Sequence, residues 1–219
     1  MSAIPEGRIV VTCGPSYEPI DEVRRITNHS TGKLGDTLSN RLAEAGWCVL
    51  CLKGIGATHH GAEHASVERI SFSTNDDLLE RLQAIPDREN VTAVFHAAAL
   101  CDFRVKHVTA DDGEQAASAK ISSRSGDLTL TLEPTRKIIA DLRGLFPKAK
   151  ITGWKYELIG TRDDVIAKGI RQIRENRTDA CIVNGGAYGP GFGVVQGDRL
   201  IAECETNESL ANWLAIWLK

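Results

Sequence analysis

The chain has 219 residues, 42% of them hydrophobic and 25% charged, with a formal net charge of -3 at pH 7, and its length suits one compact domain over residues 1–219. This slightly acidic balance provides no basic field for nucleic acid or an anionic membrane, and no apolar run reaches the ~18 residues of a membrane span. The N-terminus has no signal-peptide pattern, so we expect a cytoplasmic protein whose partners are small molecules.

Apolar, β-branched runs of strand length alternate with segments of helical period, which is typical of βα units around a buried parallel sheet. The sequence therefore predicts a doubly wound, Rossmann-like α/β fold: a mostly parallel sheet with helices on both faces. The predicted strands are 8–13, 47–53, 66–71, 91–97, 150–154 and 179–184. The predicted helices are 33–46, 75–85, 134–146, 163–176 and 207–218.

Two segments interrupt this alternation. Residues 100–133 begin with a polar run and end in alternating apolar residues, which predicts a loop followed by an antiparallel hairpin or arm that covers a site or pairs with another subunit. Residues 185–193 are rich in glycine and predict a loop, and 194–204 predict a terminal hairpin. Because ligands bind at the carboxyl ends of strands in such sheets, the candidate site segments are 14–33, 98–106, 153–157 and 184–193.

The segment after the first strand does not match the common nucleotide motifs. It has too few glycines for the dinucleotide fingerprint, and Leu34 replaces the Ser/Thr of a P-loop. What remains is a run of hydroxyl, amide and backbone N–H groups before a helix, a setting that favours an anion. The alternative is that Ser30 or Thr31 only caps the helix.

Several charged or polar side chains in these segments could carry chemistry. Arg24 suits a phosphate or carboxylate, or is a solvated loop residue. The neutral amide of Asn28 could stabilise an acyl-phosphate intermediate without competing as a nucleophile. Asp102 could bind ribose hydroxyls or a metal-bridged phosphate, the alternatives being a salt bridge to Arg104 or a helix cap. Lys120 could neutralise charge on a transferring phosphorus, or is a surface lysine.

The cysteines and histidines point to structure more than to metal. Six cysteines lie mostly in apolar runs and are expected to be reduced and buried. Cys48 and Cys51 have C-x-x-C spacing, but residues three apart in a strand point to opposite faces. His59, His60 and His64 fall in a predicted loop with no partner ligands in view, so a metal cluster there is disfavoured.

Residues 18–35 form a motif that matches the pattern of a known family, a match that composition alone does not indicate. They read EPIDEVRRITNHSTGKLG, close to the pattern EP(I/L)DxVRxITNxSSGKMG, and shorter matches follow in order as AAALCDF at 97–103, AKI at 119–121, GWKYE at 153–157 and IVN at 182–184. On these motifs the chain resembles phosphopantothenoylcysteine synthetase, the synthetase domain of the DNA/pantothenate metabolism flavoproteins, in a stand-alone form. The resemblance covers nearly the whole chain.

The resemblance implies a ligase of coenzyme A biosynthesis that uses CTP or ATP, with Mg²⁺, to convert 4′-phosphopantothenate to an acyl-nucleotide that the amine of cysteine attacks. It implies a homodimer and assigns no protein side chain as a metal ligand, and no flavin is expected because the decarboxylase half is absent. Catalysis would fall to Asn28, which stabilises the acyl-nucleotide, and Lys120, which assists its formation. The implied nucleotide-binding residues are Gly14, Ser16, Asp102, Lys120, Gly153, Trp154, Lys155 and Asn184. The implied substrate-binding residues are Arg24, Asn28, Ser30, Thr31, Gly32, Lys33, Ala98 and Ala99.

Departures from the family pattern leave alternatives open. Pro15 and Ser16 stand where the family has Gly-Thr, and Ser122 replaces a lysine of the K-x-K-K of bifunctional enzymes. The helix at 170–176 lacks the lysine pair that grips the triphosphate there, so the choice between CTP and ATP stays open, with Lys155 resembling the monofunctional members. One alternative is a catalytically idle or diverged nucleotide-binding module. Another is an NAD(P)-dependent short-chain-type reductase, although the chain has no Tyr-x-x-x-Lys pair.

Overall fold

The computed structural model describes residues 7–110, 120–121 and 126–219. Its strands, in chain order, are β1 (Arg8–Cys13), β2 (Tyr17–Pro19), β3 (Arg25–Thr27), β4 (Cys48–Gly54), β5 (Val67–Phe72), β6 (Val91–His96), β7 (Phe103–Ala110), β8 (Leu128–Pro134), β9 (Lys150–Tyr156), β10 (Ala180–Gly185), β11 (Gly189–Gln196) and β12 (Arg199–Cys204). Its helices are α1 (Lys33–Glu44), α2 (Asn75–Ala84), α3 (Ile139–Leu145), α4 (Arg162–Asn176) and α5 (Asn207–Trp217).

A central sheet has the strand order β12-β11-β10-β9-β6-β1-β4-β5. The last six of these are mutually parallel, and β11 and β12 add an antiparallel hairpin at one edge. The predicted doubly wound, mostly parallel fold is confirmed. The chain leaves β1 towards β4 and β5 and then returns to β6 on the other side of β1. The carboxyl ends of β1 and β6 therefore form a topological switch point, where ligands bind in open α/β sheets.

Helices cover both faces because residues of the parallel strands are buried on both faces. Ile9 and Val11 of β1 pack with α1 and α5, whereas Val10 packs with α2 and α3 on the opposite face, and α4 covers β10 there. Leu38 and Leu42 of α1 are fully buried. Replacing either with Ala would cost ~2–5 kcal/mol, so α1 and the loop before it are held firmly against the sheet.

Side-chain caps set the starts of three helices. Thr74 accepts from the backbone N–H of Asp77 at the start of α2. Capping boxes begin the other two, Thr161 with Asp164 at α4 and Thr206 with Ser209 at α5. Each such cap is worth ~1 kcal/mol, since it satisfies backbone donors that have no partner within the helix.

The structure departs from the sequence-based expectation in the arm region. The predicted hairpin exists, but β8 pairs with β7, a strand that the sequence did not predict. The predicted helix 134–146 is wrong over its first turn, because Pro134 still belongs to β8 and α3 starts at Ile139. Part of the predicted glycine-rich loop 185–193 is strand β11. The part of the predicted loop at 111–119 and Ser122 lie outside the described residues.

Two further observations bear on the composition-based expectations. In the described ranges, no helix combines the length and the apolar character that crossing a bilayer demands. Five of the six free cysteines are buried as expected, and Cys48 is exposed.

Candidate active site

The main chains that follow β1 and β6 continue to pair beyond the two strands. The N–H of Ala99 donates to the carbonyl of Gly14 at 2.9 Å, and the N–H of Ser16 donates back to the carbonyl of Ala99 at 3.3 Å. Gly14 has a φ of 74°, a left-handed conformation that glycine adopts without side-chain strain. Gly14, Ser16, Ala98 and Ala99, all predicted to bind ligands, therefore lie side by side at the switch point.

Ser16 has a structural role in this arrangement. Its side chain is fully buried, and its hydroxyl accepts from the backbone N–H of Cys101 at 2.9 Å. The carbonyl of Ser16 accepts from the hydroxyl of Thr27 at 2.7 Å. Ser16 thus connects β3 to the loop after β6. A direct contact of its side chain with a nucleotide stays a prediction, and the burial of the side chain does not favour it.

Asn28 joins the loop before α1 to the loop after β6. Its Nδ2 donates to the carbonyl of Leu100 at 2.8 Å, which fixes the orientation of the amide because a carbonyl can only accept. Asn28 also lines a first cleft of about 360 Å³. The other residues that line the first cleft are Pro15, Tyr17, Arg25, Thr27, His29, Ser30, Thr31, Gly56 and Thr58.

The N-terminus of α1 borders the first cleft. Its N-cap is Gly32 at φ 77°, with no side-chain cap, so the alternative that Ser30 or Thr31 only caps the helix is wrong for Ser30. Thr31 accepts from the N–H of Lys33, at a long 3.3 Å. Ser30 and Thr31, the residues before this N-terminus, line the cleft, and a helix N-terminus favours a phosphate or carboxylate nearby.

A second cleft of about 160 Å³ lies on the other side of the β1 end, below the start of α3. Asp102 lines this cleft, and its Oδ1 accepts from Lys137 Nζ. The alternative of a salt bridge from Asp102 to Arg104 is wrong, because Arg104 pairs with Glu133 at 2.7 Å. The remaining residues that line the second cleft are Asn75, His96, Ala98, Leu100, Cys101, Arg136, Lys137, Ile138, Ile139, Trp154 and Gln172.

His96 is a residue of the second cleft that the sequence analysis missed. Its Nδ1 lies 2.8 Å from the hydroxyl of Thr12, and the residue is 7% exposed. Burial lowers the pKa of His96 to about 4, so the imidazole is neutral at physiological pH. Its position at the end of β6, directly before the alanine run, was the available signal in the sequence.

The end of β9 supplies further predicted nucleotide-binding residues. Gly153 pairs with His96 across the sheet, and a Cβ there would lie 2.7 Å from Ile139 Cδ1. Lys155 pairs with Glu157 at 3.2 Å. Glu157 also accepts from Lys168 at 2.6 Å, and Lys168 is the main reason that the pKa of Glu157 is lowered.

Trp154 and Asn184 are placed differently. Trp154 lines the second cleft but packs against the core on the α1 and α5 side. Asn184 lies beside the end of β9, where its carbonyl accepts from Glu157 N at 3.0 Å. Its Oδ1 is buried without a partner among the residues that the structure describes.

Arg24 contacts Ile121, the residue that follows Lys120, at a point outside the two clefts. The guanidinium of Arg24 contacts Asp21 at 2.7 Å and the carbonyl of Ile121 at 3.2 Å. Ile121 is buried and Lys120 is exposed. The structure therefore places Lys120 next to the β2–β3 hairpin that precedes Asn28, and its predicted role in catalysis stays a prediction.

Side chains close enough to share a metal ion are, within the described ranges, Cys13, Asp36 and Cys51, all buried. Asp36 already pairs with Lys53 at 2.6 Å, so we interpret the three side chains as part of the buried core and not as a metal site. The carbonyl of His59 also accepts from Lys53, and His64 Nδ1 accepts from Ser66 N at 3.2 Å. His59, through its carbonyl, and His64, through its ring, thus form hydrogen bonds with nearby residues of the chain.

Comparison with known families and proteins gives consistent results. The family model described as DNA/pantothenate metabolism flavoprotein C-terminal domain matches residues 4–212. The coenzyme A biosynthesis bifunctional protein CoaBC of Thermococcus kodakarensis is 30% identical over 178 residues, which are 81% of this chain and 41% of that protein. CoaBC of Bacillus subtilis is 28% identical over 194 residues, 88% of this chain and 44% of that protein. The chain thus spans less than half the length of these curated relatives.

Solved structures share the fold. The DNA/pantothenate metabolism flavoprotein from Streptococcus pneumoniae is 26% identical, with a TM-score of 0.85 over 97% of this chain and 98% of that chain. A Cab2 mutant in complex with phosphopantothenate-cysteine has a TM-score of 0.72 at 16% identity, over 96% of this chain and 85% of that chain. At that identity the likeness to Cab2 concerns the fold alone.

Proposed function

The chain belongs to the DNA/pantothenate metabolism flavoprotein C-terminal domain family, and on that premise we propose that it is a phosphopantothenate–cysteine ligase of coenzyme A biosynthesis. In the first step a carboxylate oxygen of 4′-phosphopantothenate attacks the α-phosphorus of CTP or ATP, and the α–β phosphoanhydride bond breaks to release pyrophosphate. In the second step the amine of cysteine attacks the acyl carbon. An amide forms, the nucleoside monophosphate leaves with its bridging oxygen, and the amine loses a proton.

One observation carries this proposal: two clefts meet at the contact between Asn28 and Leu100. Asn28 lines the first cleft and Leu100 lines the second, and 2.8 Å separates their bonded atoms. A ligase of this class must bring a carboxylate and an α-phosphate together. Holding two reactants in such a geometry can supply ~7–11 kcal/mol of the barrier reduction.

The first cleft suits phosphopantothenate. It is bordered by the uncapped N-terminus of α1, and Ser30, Thr31 and Arg25 line it, so an anion there meets N–H, hydroxyl and guanidinium donors. Lys33, in the first turn of the same helix, adds an exposed ammonium. We assign this cleft to the substrate.

The second cleft suits the nucleoside triphosphate. Asp102 can accept ribose hydroxyls, and Lys137 adds positive charge beside it. Arg136, which also lines the cleft, pairs with Asp141 at 2.7 Å. Asp102 supplies the single carboxylate among the described residues of this cleft, which fits Mg²⁺ because that ion commonly takes one carboxylate together with substrate phosphates. When bound, Mg²⁺ would neutralise charge on the triphosphate. Asp102 would hold it as an alternative to binding the ribose hydroxyls.

Two side chains would act on the reacting atoms. Asn28 keeps a second N–H and its Oδ1 free of partners within the described residues, so its amide can bind the acyl-phosphate group without attacking it. Lys120 would neutralise charge that develops on the α-phosphate. The nucleotide is CTP or ATP. Lys155, which pairs with Glu157 at the end of β9, would contact it.

Two further expectations are part of the proposal: a cytoplasmic location and a homodimer. The β7–β8 hairpin exposes Phe103 at 51% and Leu132 at 43%, and burial of such apolar side chains would favour pairing with a second copy.

A pyrophosphate assay tests the proposed function. Purified protein with 4′-phosphopantothenate, cysteine and Mg²⁺ is supplied in turn with CTP, ATP, GTP or UTP. We expect pyrophosphate with CTP or ATP, dependent on phosphopantothenate. The absence of pyrophosphate with all four nucleotides would contradict the ligase assignment.

A further inference from the structure

A buried carboxylate on the β2–β3 hairpin binds the segment that carries Lys120. We propose that Asp21 is a positioning residue, which holds the main chain of Ile121 and thereby fixes Lys120 relative to Asn28. This inference rests on the proposed function, because it concerns how the two candidate catalytic residues are kept in register. Asp21 is not among the residues predicted from the sequence to act in the site.

The two oxygens of Asp21 serve two different purposes. Oδ1 accepts from the backbone N–H groups of Val23 and Arg24, at 2.8 and 2.7 Å, and so shapes the turn between β2 and β3. Oδ2 accepts from Arg24 Nη1 at 2.7 Å and from the N–H of Ile121 at 3.2 Å. The side chain of Asp21 is 1% exposed, so these bonds lie in a site from which water is largely excluded.

Arg24 completes a clamp on the Ile121 peptide. Its Nη1 and Nη2 both donate to the carbonyl of Ile121, each at 3.2 Å. Asp21 thus binds the N–H of Ile121, and Arg24 binds the carbonyl of the same residue. Because both polar groups of the Ile121 main chain are bound and the residue is 2% exposed, its main chain is held against the β2–β3 hairpin. We call the side chains of Asp21 and Arg24 the Ile121 clamp.

The charge state of Asp21 suits this role. Desolvation works to raise the pKa of Asp21, but the N–H groups of Val23, Arg24 and Ile121 and the charge of Arg24 outweigh it and lower the pKa. The carboxylate is therefore ionised at neutral pH, and its bonds are charge-assisted, which makes them stronger than neutral ones.

Both candidate catalytic residues are connected to the β2–β3 hairpin. Asn28 follows directly after the last residue of β3, Thr27, and Lys120 directly precedes the clamped Ile121. Lys120 itself is exposed, so its ammonium is free to extend towards a ligand while its backbone is fixed. Misplacement of such a group by ~1 Å can cost ~10²-fold in rate. Asp21 would prevent that displacement.

The test uses Asp21→Asn with the neighbouring exposed Glu22→Gln as the control. Asn retains one oxygen for the N–H groups of Val23 and Arg24, but its Nδ2, which takes the place of Oδ2, can only donate and so cannot accept from the N–H of Ile121. We expect first-turnover pyrophosphate release to fall ~10–100-fold in Asp21→Asn, with the KM for the nucleotide changed less than about twofold. Glu22→Gln should keep the wild-type rate.

A double-mutant comparison separates positioning from general destabilisation. If Asp21 acts through Lys120, Asp21→Asn adds little further loss in a Lys120→Gln background, since groups that act as one unit are not additive. Equal losses in both backgrounds, or a wild-type rate in Asp21→Asn, would overturn the proposal. Asp21→Glu, which keeps a carboxylate, should restore part of the rate.

Amide hydrogen exchange at Ile121, followed by NMR, tests the clamp without any activity. We expect its protection to fall in Asp21→Asn and to remain in Glu22→Gln. If the wild-type protein releases no pyrophosphate, the proposed function fails, and the exchange rate still decides whether Asp21 holds Ile121. Unchanged protection in Asp21→Asn would show that the clamp does not exist.

Discussion

The side-chain amide of Asn28 donates to the main-chain carbonyl of Leu100 across 2.8 Å, and this bond joins the rims of two clefts. The amide has a defined orientation even though its residue is exposed. A reacting carboxylate in the first cleft and an α-phosphate in the second would therefore meet a preorganised donor, and such preorganisation lowers the barrier without reorganisation during the reaction.

Replacement of Asn28 should act on the intermediate. Asn28→Ala removes both the bond to Leu100 and the donor to the acyl-phosphate group, so we expect kcat to fall ~10²–10³-fold, as for loss of one oxyanion donor. Quenched-flow measurement of the acyl-nucleotide should find it reduced or absent, while the unfolding temperature changes little. Wild-type turnover in Asn28→Ala would remove this residue from the mechanism.

Replacement of Lys120 should act on the first step alone. In Lys120→Gln the α-phosphate loses its ammonium partner, and we expect pyrophosphate release in the first turnover to be nearly abolished, a loss of ~10²-fold or more. Lys106→Gln, a change of an exposed β7 lysine on the same hairpin arm, provides the matched control. Equal first-turnover rates for the two variants would exclude the assigned role.

Gly54 at the end of β4 allows the Pro15 loop to approach the sheet. A Cβ at Gly54 would lie 2.1 Å from the carbonyl oxygen of Pro15, a backbone atom that cannot move alone. We expect Gly54→Ala to destabilise the protein by ~1–3 kcal/mol in urea unfolding and to raise the KM for substrate.

Gly144 serves as the control for that change. It is exposed in α3, and a Cβ added there would meet no other atom within 4 Å. Gly144→Ala should stabilise by ~0.5 kcal/mol, because Ala favours the helix. If both alanine variants have the same stability, the close approach at Pro15 is not a constraint.

The low pKa of His96 predicts that the folded protein loses stability in acid. Its pKa is about 4 in the folded protein, against 6.5 when unperturbed, so the unfolded chain binds the proton more readily. The stability due to the neutral ring is complete above pH ~6.5 and is lost as pH falls towards 4. Between pH 7.5 and 5, linkage gives a loss of ~2 kcal/mol.

Urea unfolding at the two pH values measures this effect. In His96→Asn, which keeps a polar atom beside Thr12, the loss between pH 7.5 and 5 should be smaller by that amount. An identical pH dependence in wild type and His96→Asn would show that His96 is not the group responsible.

Sequence patterns predicted the six parallel strands to within two residues at each end, because strands buried on both faces are nearly continuous apolar runs. The three-residue strands β2 and β3 were missed, since they are too short for any periodicity. The partner of β8 depends on contacts between distant residues, and these leave no local signal. The start of α3 was predicted at Pro134, but that residue ends a strand.

The sequence predicted some residues of the candidate site and missed others, again because contacts between distant residues leave no local signal. The motif around Asn28 and the ends of β1, β6 and β9 were identified by their place after buried strands. Lys137, 35 residues from Asp102, could not be paired with it from the sequence. The contact of Asp21 with Ile121, 100 residues away, was equally inaccessible.

The most direct test of the account follows one oxygen atom. 4′-Phosphopantothenate labelled with ¹⁸O in its carboxylate is incubated with cysteine, Mg²⁺ and the nucleotide that gives pyrophosphate, and the products are analysed by mass spectrometry. If the carboxylate is activated as an acyl-nucleotide, one ¹⁸O atom appears in the released nucleoside monophosphate. Label in inorganic phosphate, or unlabelled monophosphate, would contradict the proposed mechanism.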